Sequence, residues 1–107
     1  MKHILIATLL LLSASLAHAA TVELTVNGLV CGFCAQGIEK TLRKNPATQD
    51  VFVSLEQRIV AVTLKPGQDI GDADLTHALT DAGYTVTAIA RSETSLEEIR
   101  ERVRAKQ

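Results

Sequence analysis

Between Thr21 and Ala90 the spacing of apolar residues switches four times between a period of two and a helical period, which leaves few folds open. Val22, Leu24 and Val26 alternate with polar residues, the pattern of a half-buried strand, and Asn27-Gly28 closes it with turn chemistry. Ala35, Ile38 and Leu42 recur at helical spacing up to Lys44, where Asn45-Pro46 stops the helix. Val51, Val53 and Leu55 alternate, as do Val60, Val62 and Leu64, with Glu56-Gln57-Arg58 between them as a hairpin connection and Pro66-Gly67 after them. Leu75, Ala78, Leu79 and Ala82 form the stripe of a second amphipathic helix, with Asp72 or Asp74 available to cap its start and Gly83 its end. Tyr84 to Ala90 is a last strand carrying Val86, Ala88 and Ala90. The order strand, helix, strand, strand, helix, strand predicts an α+β, ferredoxin-like βαββαβ sandwich. Two helices should cover one face of a four-stranded antiparallel sheet.

The flanking segments differ in kind. Residues 1–19 read as a secretory signal: a positive start at Lys2, an apolar run from Ile4 to Leu12, then small residues ending in Ala17-His18-Ala19. The apolar run falls short of the roughly 20 residues that a spanning helix needs, so cleavage near Ala19 and no stable membrane insertion are expected. The expected location is the periplasm. Residues 20–91 form the domain. Residues 92–107 read as a charged helical tail: Ser95-Leu96-Glu97-Glu98 has the pattern of a capping box, and Leu96, Ile99 and Val103 make only a narrow apolar stripe. That stripe is expected to dock weakly or to fray.

The aromatic residues are Phe33, Phe52 and Tyr84, without Trp, so the core must be aliphatic. The net charge is −1 with Lys2 present, and there is no basic field for nucleic acid. No nucleophile–base set, carboxylate pair or phosphate-binding loop marks an enzyme. The only two cysteines, Cys31 and Cys34, sit too close together for a bridge between them to staple the fold, which points to chemistry.

Cys31-Gly32-Phe33-Cys34 falls between a strand and the start of a helix. Free N–H groups and the partial positive charge of a helix N-terminus favour thiolate over thiol. Two thiolates are soft ligands, and two ligands alone suit a nearly linear ion, Cu(I) or Hg(II). Zn(II) fits less well because it prefers four ligands. The expected metal ligands are therefore Cys31 and Cys34, holding one soft ion.

With its flanks the motif stands as Gly28-Leu29-Val30-Cys31-Gly32-Phe33-Cys34, and it resembles the metal loop of the heavy-metal-associated domain family. Gly83-Tyr84 is similar to that family's Gly-aromatic pair opening the last strand, and Ile38, Glu39 and Leu42 resemble its first helix. Leu29 and Val30 depart from the family's usual Met and polar residue; Leu29 can replace the Met sterically. The resemblance, over Thr21 to Arg91, implies a metallochaperone that captures its ion and passes it by ligand exchange to a metal-transporting membrane protein or another metal carrier. The layout of signal plus single domain is similar to exported mercury- and copper-handling members, with copper slightly favoured. A monomer is expected.

Cys-x-x-Cys also serves thiol–disulfide exchange, and an oxidising envelope suits that alternative, as it suits an inert disulfide. The element order lacks the parallel crossover of a thioredoxin fold, which favours metal binding. Of the remaining candidates, Tyr84 is expected either near the metal loop, shielding the ion, or as a half-buried strand aromatic. His77 is expected on the surface. Lys40, Arg43 and Lys44 form either a solvated helix face or a steering patch for an acidic partner, and Phe33 is an exposed or partly packed loop residue.

Overall fold

A computed structural model of the chain describes residues 20–29 and 31–106. The expected signal segment, residues 1–19, lies outside the described residues. The elements are β1 (Thr21–Asn27), α1 (Gly32–Arg43), β2 (Thr48–Ser54), β3 (Ile59–Leu64), α2 (Asp72–Asp81), β4 (Thr85–Ser92) and α3 (Leu96–Ala105). The strands form one antiparallel sheet in the order β2-β3-β1-β4. This is the ferredoxin-like arrangement that the hydrophobic periods require.

Strand alternation decides what each face of the sheet packs against. Val22, Leu24 and Val26 of β1, Val51 of β2, and Val60, Val62 and Leu64 of β3 are buried in one aliphatic core. Ile38 and Leu42 of α1 and Leu75 and Leu79 of α2 close that core from above. Each such side chain contributes about 1.5–3 kcal/mol on burial, and aromatics are barely needed.

Three details differ from the sequence expectation. Neither Asp72 nor Asp74 caps α2; Gly71 holds the N-cap position, without a side-chain hydrogen bond. Asp72 is instead drawn to Arg91 of β4, whose guanidinium also reaches Asp69 and the carbonyl of Ile70. The hydrogen bond to Asp72, followed by the one to Asp69, raises the Arg91 pKa despite the opposing desolvation. Second, of the expected inward residues of β4 only Val86 faces the core. Thr25 pairs with Ala88 but Val26 pairs with Val86, so Thr87 is an extra residue that flips the phase of the strand. Val86 and Ile89 consequently pack on the core, while Ala88 and Ala90 are exposed.

The third difference is the tail. It folds as α3, and Ser95 is its N-cap, accepting a hydrogen bond from the Glu98 N–H at 3.2 Å. Leu96, Ile99 and Val103 are buried against Ala61 and Phe52 on the face of the sheet opposite α1 and α2. The narrow stripe suffices because the surface it meets is also narrow: Ala61 leaves room beside Phe52 for one helix. Arg102 pairs with Glu23 of β1, and Arg100 lies over the Phe52 ring at 5.3 Å from its centroid. No helix among the described residues is long and apolar enough to cross a membrane.

Candidate metal-binding site

Strand register gathers three connections at one end of the sheet. β1 ends at Asn27, β3 begins at Ile59 opposite Thr25, and β4 begins at Thr85 opposite Asn27. The cysteine loop after β1, the hairpin Leu55–Arg58 and the α2–β4 turn at Ala82–Tyr84 therefore share that end.

The cysteine loop is pinned from both sides. Gly28 has φ +92°, and a β-carbon there would stand 3.5 Å from Cδ1 of Tyr84. Leu29 is 2% exposed and belongs to the core, as its steric role beneath the loop requires. Tyr84 arrives by the way α2 ends. Gly83, at φ +96°, donates its N–H to Thr80 O, and the Tyr84 N–H returns to Leu79 O, both at 3.0 Å. This double bond pattern reverses the chain just past the helix and brings Tyr84 against the loop. Of the two placements expected for Tyr84, the structure has it against Gly28 of the loop, and half-buried there.

Cys31 is the N-cap of α1, with extended backbone, and its Sγ accepts a hydrogen bond from the Cys34 N–H at 3.2 Å. Cys34 lies in the first turn and packs partly against the core. No acidic residue occupies that turn, so no carboxylate there opposes negative charge on the sulfurs. The structure joins Cys31 and Cys34 in a disulfide, with their α-carbons 5.3 Å apart. The thiolate pair expected from the sequence is therefore seen in its oxidised form. Reduction by two electrons and two protons would yield the two thiols.

Phe33, between the cysteines, is 86% exposed. Lys40 in the last turn of α1 and Lys44 at its C-cap are exposed, and Arg43 between them bonds to Asp50 at 2.8 Å. His77 is exposed on α2. Val30 lies outside the described residues. Among the described residues, no group of three or more His, Cys, Asp or Glu side chains is placed to hold a metal ion. Sequence reasoning left one residue of this end unremarked beyond its hairpin position, Arg58; its signal is a non-glycine residue with φ +57°.

A compact antiparallel βαββαβ domain with a Cys-x-x-Cys at the head of its first helix defines a class of small soft-metal-binding modules. No family model matches the chain. Over 46 residues, 43% of this chain, it is 41% identical to a copper-exporting P-type ATPase from Staphylococcus haemolyticus, and it spans 6% of that protein's length. An oxidized MerP from Ralstonia metallidurans CH34 is 33% identical and aligns over 64% of this chain and 96% of its own, with TM-score 0.56. A CopZ metallochaperone is 27% identical over 63% of this chain and 98% of its own, with TM-score 0.58. A putative copper-ion-binding protein from Bacillus anthracis is 28% identical over 65% and 99%, with TM-score 0.58. The chain belongs to the heavy-metal-associated domain family.

Proposed function

We propose that this chain is an envelope metal carrier that binds one soft ion, Cu(I) or Hg(II), between the reduced sulfurs of Cys31 and Cys34. The observation that carries the proposal is the placement of both sulfurs within bonding distance of each other at the N-terminus of α1, at an exposed end of the fold. Two sulfurs that can reach each other can close on one ion after reduction. Backbone N–H groups at the helix start stabilise the resulting anionic site. Among the described residues no further ligand joins the two sulfurs, which suits ions content with linear coordination and disfavours Zn(II). Copper is favoured by the copper-exporting and copper-ion-binding relatives.

Transfer follows from the same geometry. A partner's thiolate attacks the ion at the exposed loop, a three-coordinate intermediate forms, and one of the two cysteines leaves. Such a partner is a metal-transporting membrane protein or another carrier. The three-part segment at residues 1–19 supports export to the periplasm and cleavage near Ala19.

The disulfide favours a second reading, thiol–disulfide exchange at the same cysteines. Among the described residues all strand pairings are antiparallel, so the sheet lacks the parallel crossover of a thioredoxin fold. One experiment separates the readings. Protein extracted from the envelope, reduced, and offered Cu(I) or Hg(II) is weighed by native mass spectrometry. The expected species begins near Ala20 and carries one ion, and Cys31→Ser or Cys34→Ser abolishes tight loading. Wild-type loading by either single variant would refute the two-sulfur site. Robust insulin reduction by the metal-free protein would establish the redox reading instead.

A further inference from the structure

The hairpin between β2 and β3 lies at the same end of the sheet as the cysteine loop and carries an exposed arginine. The Val26 N–H, two residues before Gly28, donates to the carbonyl of Arg58 at 2.9 Å. Leu55, at the other side of the hairpin, packs on the same core cluster as Cys34. Arg58 is exposed, and among the described residues it makes no ion pair. The connections at this end of the sheet contain no other cation: the cysteine loop and the α2–β4 turn carry no charged side chain, and the rest of the hairpin contributes only Glu56.

Arg58 also has φ +57°, a left-handed conformation that glycine or asparagine enters more readily than arginine. Turn geometry alone would be served better by either of those, so the arginine side chain has no local conformational reason to be there.

We infer that Arg58 selects for the charge of the metal–thiolate complex, favouring a monovalent ion over a divalent one. Two thiolates around Cu(I) leave one net negative charge at the loop, whereas two around Hg(II) leave none. A guanidinium at the same end of the sheet stabilises the first complex and is indifferent to the second. Because both charges face water, the attraction is modest and sensitive to salt.

The inference rests on Cys31 and Cys34 being the metal ligands, and its test reports on that separately. The reduced full chain is titrated with Cu(I), and separately with Hg(II), against a competing chelator of known affinity. The proteins are wild type, Arg58→Asn, which keeps a residue tolerant of the left-handed backbone, and Arg58→Lys, which keeps the charge. Arg58→Asn is expected to weaken Cu(I) binding about two- to fivefold at low salt. The loss should shrink in high salt, Arg58→Lys should restore affinity, and Hg(II) binding should not change. Equal Cu(I) affinity in wild type and Arg58→Asn, or an equal loss for both metals, would overturn the inference. Failure of wild type to bind either ion with one-to-one stoichiometry would instead overturn the metal-site reading. Thermal unfolding of each variant identifies any loss that comes from misfolding.

Discussion

Gly28 shows how one residue couples backbone conformation to the site. It has a positive φ, so any side chain there is strained by its backbone, although a β-carbon would only touch the Tyr84 ring at ordinary contact distance. Gly28→Ala is expected to cost about 1–2 kcal/mol, the penalty for a left-handed backbone in a residue with a β-carbon. Chemical denaturation followed by circular dichroism measures this, and an unchanged midpoint would contradict the reading. Cys31 and Cys34 were legible from residue identity and spacing, whereas the roles of Leu29 and the Gly83-Tyr84 pair were legible only through the family resemblance. Arg58 was not: its importance depends on register, which brings residues 30 positions apart to the same end of the sheet, and no local pattern reports that.

Among the elements, the strands and the first two helices could be read because period alone assigns them. The inward face of β4 could not. The extra residue, Thr87, shifts register only relative to β1, where its hydroxyl also donates to Thr25 O at 3.3 Å. The capping of α2 was misread for a similar reason, since Arg91 competes for Asp72 from a strand distant in sequence. α3 is the largest gain in structure over the pattern. Taken alone, its stripe looks too thin to hold, but Ile99 is fully buried once Ala61 and Phe52 provide the opposing surface. Ile99→Ala is therefore expected to destabilise by about 2–4 kcal/mol, as loss of a packed core side chain does. A chain ending at Arg91 should lose more, because Ala61 and Phe52 then face water. Metal loading should survive in whatever fraction stays folded, since α3 covers the face away from the α1 and α2 layer. A truncated protein as stable as the full chain would show that the helix only rests on the sheet; urea titration monitored by Tyr84 fluorescence decides it.

At the scale of the whole molecule, Asp50 of β2 joins layers that otherwise meet only through the sheet. Its carboxylate accepts hydrogen bonds from Arg43 of α1 and from the Val51 N–H, both at 2.8 Å, and Arg100 of α3 stands 3.7 Å away. Helices on opposite faces of the sheet thus share one anion. Desolvation works against ionisation at this site, but the hydrogen bonds from Val51 and Arg43, with the charges of Arg43 and Arg100, outweigh it and hold the carboxyl below its ordinary range. A carboxyl with a depressed folded pKa binds its proton less readily in the folded chain than in the unfolded one. Its contribution to stability is therefore complete above the unfolded value of about 3.9 and is lost as pH falls through the lower folded value. Because Asp50 and both arginines are more than a third exposed, water screens the pairing, and the contribution is about 1 kcal/mol or less. The stability difference between wild type and Asp50→Asn should hold constant from neutral pH down to about pH 5 and then shrink toward zero in more acid solution. High salt should reduce it at every pH. Urea unfolding of both proteins across that range measures the difference directly. A gap that widened in acid would mean that the folded carboxyl binds its proton more tightly than the unfolded one, and the shared anion would not be what ties α1 to α3.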